Sequence, residues 1–123
     1  MGHHILIRGD STLVIRDADL ALVRHFLLRA ATTLGVLELA RSLARWDWQG
    51  PGVWIGVEEA ALEGHADVFD EAVRQVHELG AVLSLGELEK VKLQEGAYFT
   101  QALPSELVLE SLCAVRRLFE QAR

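Results

Sequence analysis

Five side chains able to carry a proton or ligate a metal lie close together in this chain: His65, Asp67, Asp70, Glu71 and His77. Asp67 stands three and four residues before Asp70 and Glu71, a spacing that gathers carboxylates on one face of a helix. A zinc helix brings two histidines within one turn, as in His-Glu-x-x-His, whereas His65 and His77 are twelve residues apart. Acids in a first helical turn ordinarily complement the helix dipole on a solvated face. The sequence therefore predicts no metal site and no cofactor. Glu58-Glu59 follows an apolar run at 53–57, and with His65 and Asp67 it could supply acid–base chemistry at a strand-to-helix junction. That is the enzyme alternative. Against it, adjacent carboxylates arise by chance among 18 acids, and a working pair needs a pocket that perturbs it.

Nucleophilic chemistry is no better supported. Cys113 is the sole thiol and lies within an apolar helical stretch beside Leu112, Ala114 and Val115, so it is expected to behave as a small buried hydrophobe. None of the serines sits in a Gly-x-Ser-x-Gly elbow. Gly50-Pro51-Gly52 lacks the Gly-Lys-Ser/Thr of a phosphate-binding loop. His25, between Arg24 and Phe26, reads as a partly buried, hydrogen-bonded histidine rather than a base. No residue is assigned a catalytic role.

What remains is a cluster of aromatics. All three tryptophans, Trp46, Trp48 and Trp54, fall within nine residues around a Gln49-Gly50-Pro51-Gly52 break. Tryptophan and arginine are the residues most enriched where one protein grips another. In an extended segment Trp46 and Trp48 point the same way. The candidate partner-binding set is therefore Trp46, Trp48, Arg41, Arg45 and Asp47. The competing reading folds these rings back to plug the end of the core, where large rings are mostly found. Trp54, inside an apolar run, is assigned to the core.

These residues must be held by elements that the hydrophobic pattern outlines. Runs at 5–8 and 13–16 around Gly9-Asp10-Ser11-Thr12 predict a β-hairpin, which accounts for Arg8-Gly9-Asp10 without an adhesive role. Asp17 or Asp19 is expected to cap a helix whose stripe is Leu20, Val23, Leu27, Ala30, Ala31 and Leu34, with Gly35 as its stop. A second helix runs from 36 to about 46, a single kinked helix over 18–46 being the alternative. Residues 53–57 read as a central strand and 67–79 as an amphipathic helix stopped by Gly80. A strand at 81–85 and a second hairpin, 91–94 with 97–100 around Glu95-Gly96, come next. Pro104-Ser105 opens a last helix buried through Val108, Leu112, Val115, Leu118 and Phe119. The order β-β-α-α-β-α-β-β-β-α predicts a single α+β domain over 1–123, a mostly antiparallel sheet covered by about four helices.

Composition sets the remaining bounds. Half of the 123 residues are hydrophobic, enough for one core, and a single cysteine excludes an internal disulfide. No apolar run approaches the roughly 18 residues of a spanning helix, and no signal layout opens the chain. A cytoplasmic location without a membrane partner is expected. His3 and His4 fit native residues or the remnant of a purification tag equally well and are given no role. The net charge of −6 divides into +1 over residues 1–50 and −7 over 51–123. Such a surface disfavours nucleic acid and favours a basic protein partner. The leading expectation is a non-enzymatic cytoplasmic protein-binding domain, most like a small bacterial immunity, antitoxin or chaperone-type protein. A homodimeric structural or signalling scaffold, joined through apolar faces on 20–46 and 107–119, is the second expectation.

Overall fold

A computed structural model describes residues 3–46, 53–57, 64–91, 93 and 97–120, with backbone alone at 53–55. The first two strands, β1 (His3–Arg8) and β2 (Ser11–Arg16), pair antiparallel from His3↔Arg16 to Arg8↔Ser11. Only Gly9 and Asp10 separate them, a tighter turn than the four residues expected. Gly9 has φ 58° and no non-glycine residue among those described has positive φ, which marks a type II′ turn, with glycine at its first central position. The strand β3 (Val53–Gly56) lies parallel to β1 on its other side, with Ile5 opposite Trp54. The order β2-β1-β3 makes β1 central and β3 an edge, correcting the central position expected for 53–57. The physical reason is that the tight turn lays β2 on one side of β1, leaving only the other side for a later strand.

The helix α1 (Asp17–Leu34) begins without a linker after β2. Arg16, not an aspartate, occupies the N-cap position; Asp17 and Asp19 lie in the first turn, where they complement the dipole. Their side chains turn to strand and cap partners instead, His4 and Arg16. At the other end Gly35 adopts φ 72°, and two bonds close the helix: Gly35 N–H to the Thr32 carbonyl and Val36 N–H to that of Ala31. This is the Schellman pattern, which needs a left-handed residue and so suits glycine. It separates α1 from α2 (Leu37–Ala44), excluding the single kinked helix. The Arg24 guanidinium donates to the Leu43 and Ala44 carbonyls at 2.9 and 3.3 Å, placing a cation at the negative end of α2.

Further along, α3 (His65–Glu78) runs to a left-handed Gly80. A short strand β4 (Val82–Leu83) pairs antiparallel with β5 (Leu103–Pro104). Between them, where the second hairpin was expected, Leu93 and residues 97–100 belong to no ladder, and residues 94–96 lie outside the described set. A single turn, α4 (Leu85–Leu88), precedes them, capped by Ser84 Oγ accepting from the Glu87 N–H at 3.2 Å. The last helix, α5 (Ser105–Phe119), starts after Pro104. Ser105 does not cap it; its hydroxyl donates to the Gly80 carbonyl at 2.6 Å and ties α5 to the end of α3.

The result is an α+β fold with a three-stranded sheet, a two-stranded sheet and five helices among the described residues. No helix there is long and apolar enough to cross a membrane. The core forms around α1, where Leu20, Leu22, Val23, Phe26, Leu27, Ala30 and Ala31 are all buried. Leu34 leaves the expected stripe and is 44% exposed. Leu39 and Leu43 of α2, Phe69 and Val76 of α3, and Val108, Leu112, Val115 and Phe119 of α5 enclose α1. Most of the apolar surface that suggested a dimer seam is thus buried within the monomer, with Leu34, Leu37 and Leu107 left exposed.

Phe119 closes one end of this core, with ring centroids 5.3 Å from Phe69 and 6.3 Å from Trp46. Phe119→Ala should lower the unfolding free energy by about 3–5 kcal/mol. Leu34→Ala should change it by no more than about 0.5 kcal/mol, since its side chain is largely solvated. Urea titrations with unchanged slopes would read both.

Candidate functional site

Trp46 is 2% exposed and packs on Phe119, so it plugs the core and does not serve as a surface anchor. Its neighbours Asp47 and Trp48 lie outside the described residues, as does the Trp54 side chain. Arg41 is exposed and paired with Glu38 at 2.8 Å one turn away, and Arg45 is exposed at the end of α2. Of the three described candidates, Trp46 faces inward while Arg41 and Arg45 face solvent, so these three do not form one surface.

The acid–base candidates are dispersed too. Glu58 and Glu59 lie outside the described residues. His65 packs its ring against Phe69 and Phe119 at 6.3 and 6.0 Å, with Nε2 3.9 Å from the Glu120 carboxylate. Asp67 and His77 are exposed. Asp70 accepts from Arg116 at 2.8 Å, joining α3 to α5. Glu71 is held by Arg74 and by Gln75, whose Nε2 is 2.9 Å away. The Arg74 hydrogen bond, then that of Gln75, keeps the Glu71 carboxyl below the usual carboxylate range. Asp70 is engaged between two helices and Glu71 within its own, and among the described residues no group of three His, Cys, Asp or Glu forms a cage for a metal ion. Cys113, expected to be buried, is exposed, because it falls one residue past Leu112 and outside the buried stripe of α5.

A different place has the shape of a binding site. A groove of about 460 Å³ runs between the N-terminal turns of α1 on one side and Leu93 with residues 97–107 on the other. Ala21 and Leu22 of α1 form its floor, and Leu93, Phe99 and Leu103, all half-buried, form its far wall. Tyr98 stands at the rim with 77% of its surface in solvent, beside Leu107 at 37%. The near rim carries Arg16, Asp17 and Asp19. Arg16 Nε donates to Asp19 at 2.8 Å. Asp17 is fixed from behind by His4: Nδ1 of that side chain, 1% exposed, lies 2.5 Å from Asp17 Oδ1. His4, assigned no role from its place in the sequence, is thus built into the fold and orients a rim carboxylate.

Sequence reasoning missed this groove because its walls are far apart in the chain. The available signal was Tyr98-Phe99, two adjacent aromatics in a segment without helical period, which read instead as a strand. Comparison with protein-family models, with curated proteins and with solved structures finds no match to the chain.

His25 lies further along α1, half-buried, with its ring edge-on to Phe26 at 5.1 Å. Its pKa is lowered, first by burial and then by Arg29, with Lys90 and Arg24 adding to the effect and Glu87 opposing it. The unfolded chain therefore binds this proton more tightly than the folded one. Stability is fullest above the unfolded value of about 6.5 and falls as pH drops from there through the lower folded value. His25→Gln should flatten that limb of a stability–pH curve measured by denaturant titration; an unchanged limb would assign it to other groups.

Proposed function

We propose that this chain is a non-enzymatic cytoplasmic protein-binding domain, of the kind represented by small bacterial immunity, antitoxin or chaperone-type proteins. It holds its partner in the groove between α1 and Leu93 with residues 97–107, rather than through the tryptophan loop. The observation that carries this reading is an apolar slot with a solvent-exposed tyrosine at its mouth. A tyrosine there offers a large, stiff contact surface at low entropic cost, with a hydroxyl for one directed hydrogen bond. Apolar floors rimmed by a few polar groups are the usual form of a recognition pocket.

Charge narrows the occupant to a polypeptide segment whose apolar anchor stands beside lysine or arginine. The rim sets two carboxylates, Asp17 and Asp19, against one guanidinium, Arg16. The chain as a whole carries −6, which raises the encounter rate with a basic surface at low salt. The rim acids are pre-oriented by His4 and Arg16, so less freedom is lost when a cation meets them.

Selection from a random peptide library on the folded chain tests this reading. Enriched peptides should combine a large apolar residue with a flanking basic one and bind more weakly as salt rises. Tyr98→Ala should weaken them by about tenfold or more, the usual loss of an aromatic hot spot. Failure to enrich any such peptide, or binding indifferent to Tyr98→Ala and Leu107→Glu, would remove the groove from the account.

A further inference from the structure

We infer that β2 is the seam of a twofold homodimer, in which a second copy of this chain adds its own β2 antiparallel and makes one continuous six-stranded sheet. The observations are separate from those behind the groove and start from the backbone. The turn at Gly9-Asp10 sets Arg8 and Ser11 opposite each other across two residues, the arrangement in which that pair exchanges hydrogen bonds. Alternation along the ladder then directs the N–H and C=O groups of Ser11, Leu13 and Ile15 to β1. Those of Thr12 and Val14, and the N–H of Arg16, point away from the sheet. The Arg16 carbonyl is taken up in starting α1, as an N-cap carbonyl is.

Among the described residues that outer edge is lightly guarded, its one charge, Arg16, being paired with Asp19. It contains no lysine, proline or bulge, its register runs unbroken over six residues, and Val14 is 61% exposed. Among the described residues the space beside it is open. Two shallow grooves, of about 370 and 340 Å³, run along β2 between the strand and α5.

A twofold axis through Val14 satisfies what the edge offers. Residues directly opposite in an antiparallel pair share a face, so Val14 meets the Val14 of the other copy, Leu13 meets Ile15, and Thr12 meets Arg16. Val14 exchanges its bonds across the axis, and each Arg16 N–H reaches a Thr12 carbonyl. No like charges are set opposite each other.

Charge on the neighbouring helix supports the same axis. Ala114 lines both grooves, Glu110 only the one beside Val14 to Arg16, and Arg117 only the one beside Ser11 to Leu13. Both charged side chains are exposed, and neither has an ion-pair partner among the described residues. A twofold through Val14 and Ala114 turns α5 antiparallel to its copy. It then carries Glu110 of each chain toward Arg117 of the other. The edge is therefore self-complementary in hydrogen bonding, side-chain face and charge, which is what an isologous interface requires.

Sedimentation velocity on the full chain from low micromolar to submillimolar concentration is the test. A concentration-dependent dimer is expected. Val14→Pro removes the outward N–H without touching the bonds to β1, and should raise the dimer dissociation constant by about tenfold or more. Val14→Lys serves as the second variant and should do the same. Glu110→Arg should weaken the dimer, and adding Arg117→Glu should restore it. In a Cys113→Ser background, Val14→Cys should cross-link to its own copy under mild oxidation, because opposed residues at a hydrogen-bonded pair stand about 5.5 Å apart at Cα. A chain that stays monomeric throughout would overturn the proposal. So would a dimer that survives both Val14 substitutions, or charge reversals that do not compensate.

Discussion

A helix with an apolar face as wide as that of α1 is insoluble unless it is wrapped, and the rest of the chain is arranged to wrap it. Eight of its large and small apolar side chains, from Leu20 to Ala31, are buried. One strip is covered by α2, whose last carbonyls Arg24 of α1 holds. Another is covered by α3, and a third by α5, with the sheet beneath through Leu6 and Ile15. Burial of a leucine- or phenylalanine-sized side chain stabilises by about 1.5–3 kcal/mol, so this one helix organises most of the free energy of folding. The ends of α1 are fixed as firmly as its middle. The Schellman turn at Gly35 sets its exit, and the pairs His4–Asp17 and Arg16–Asp19 set its entry.

The groove follows from the same constraint. Covering α1 takes helices along most of its length, but its first turns emerge directly from β2 with no linker in which to place a covering element. Among the described residues, Leu93 and residues 97–107 close over that end only partly. What is left is a slot with a rigid floor, a buried histidine behind one rim and an exposed tyrosine on the other. The sheet shows a related pattern. Because β1 takes the centre, β2 is left as an outer edge, and its lightly guarded β-branched run is available for pairing.

Elements with a strong local period were legible in the sequence. The stripes of α1, α3 and α5 repeat every three to four residues and are stopped or opened by Gly35, Gly80 and Pro104, so position and inward face both follow from the chain alone. What depended on distant partners was not legible. Trp46 turns inward because Phe119, near the other end of the described chain, offers it a ring to pack on. The segment 91–100 alternates like a hairpin, yet β4 pairs with β5 instead, and its described residues, 91, 93 and 97–100, join no ladder. Asp17 and Asp19 look like caps, but His4 across the sheet and Arg16 compete for their oxygens. The same non-locality hid the groove, since Leu22 and Phe99 meet only in the folded chain.

The central claim is that α1 is the rigid element on which the core and the groove floor both depend. Native-state hydrogen exchange tests it most directly, because it gives an opening free energy for each backbone amide. The amides of residues 20–31 should exchange only through global unfolding, with the same denaturant dependence as α3 and α5, while those of 97–101 should open at far lower energy. Amides in 20–31 that exchange through a local opening well below the global free energy would contradict the account, because the floor of the groove would then not be fixed by the core.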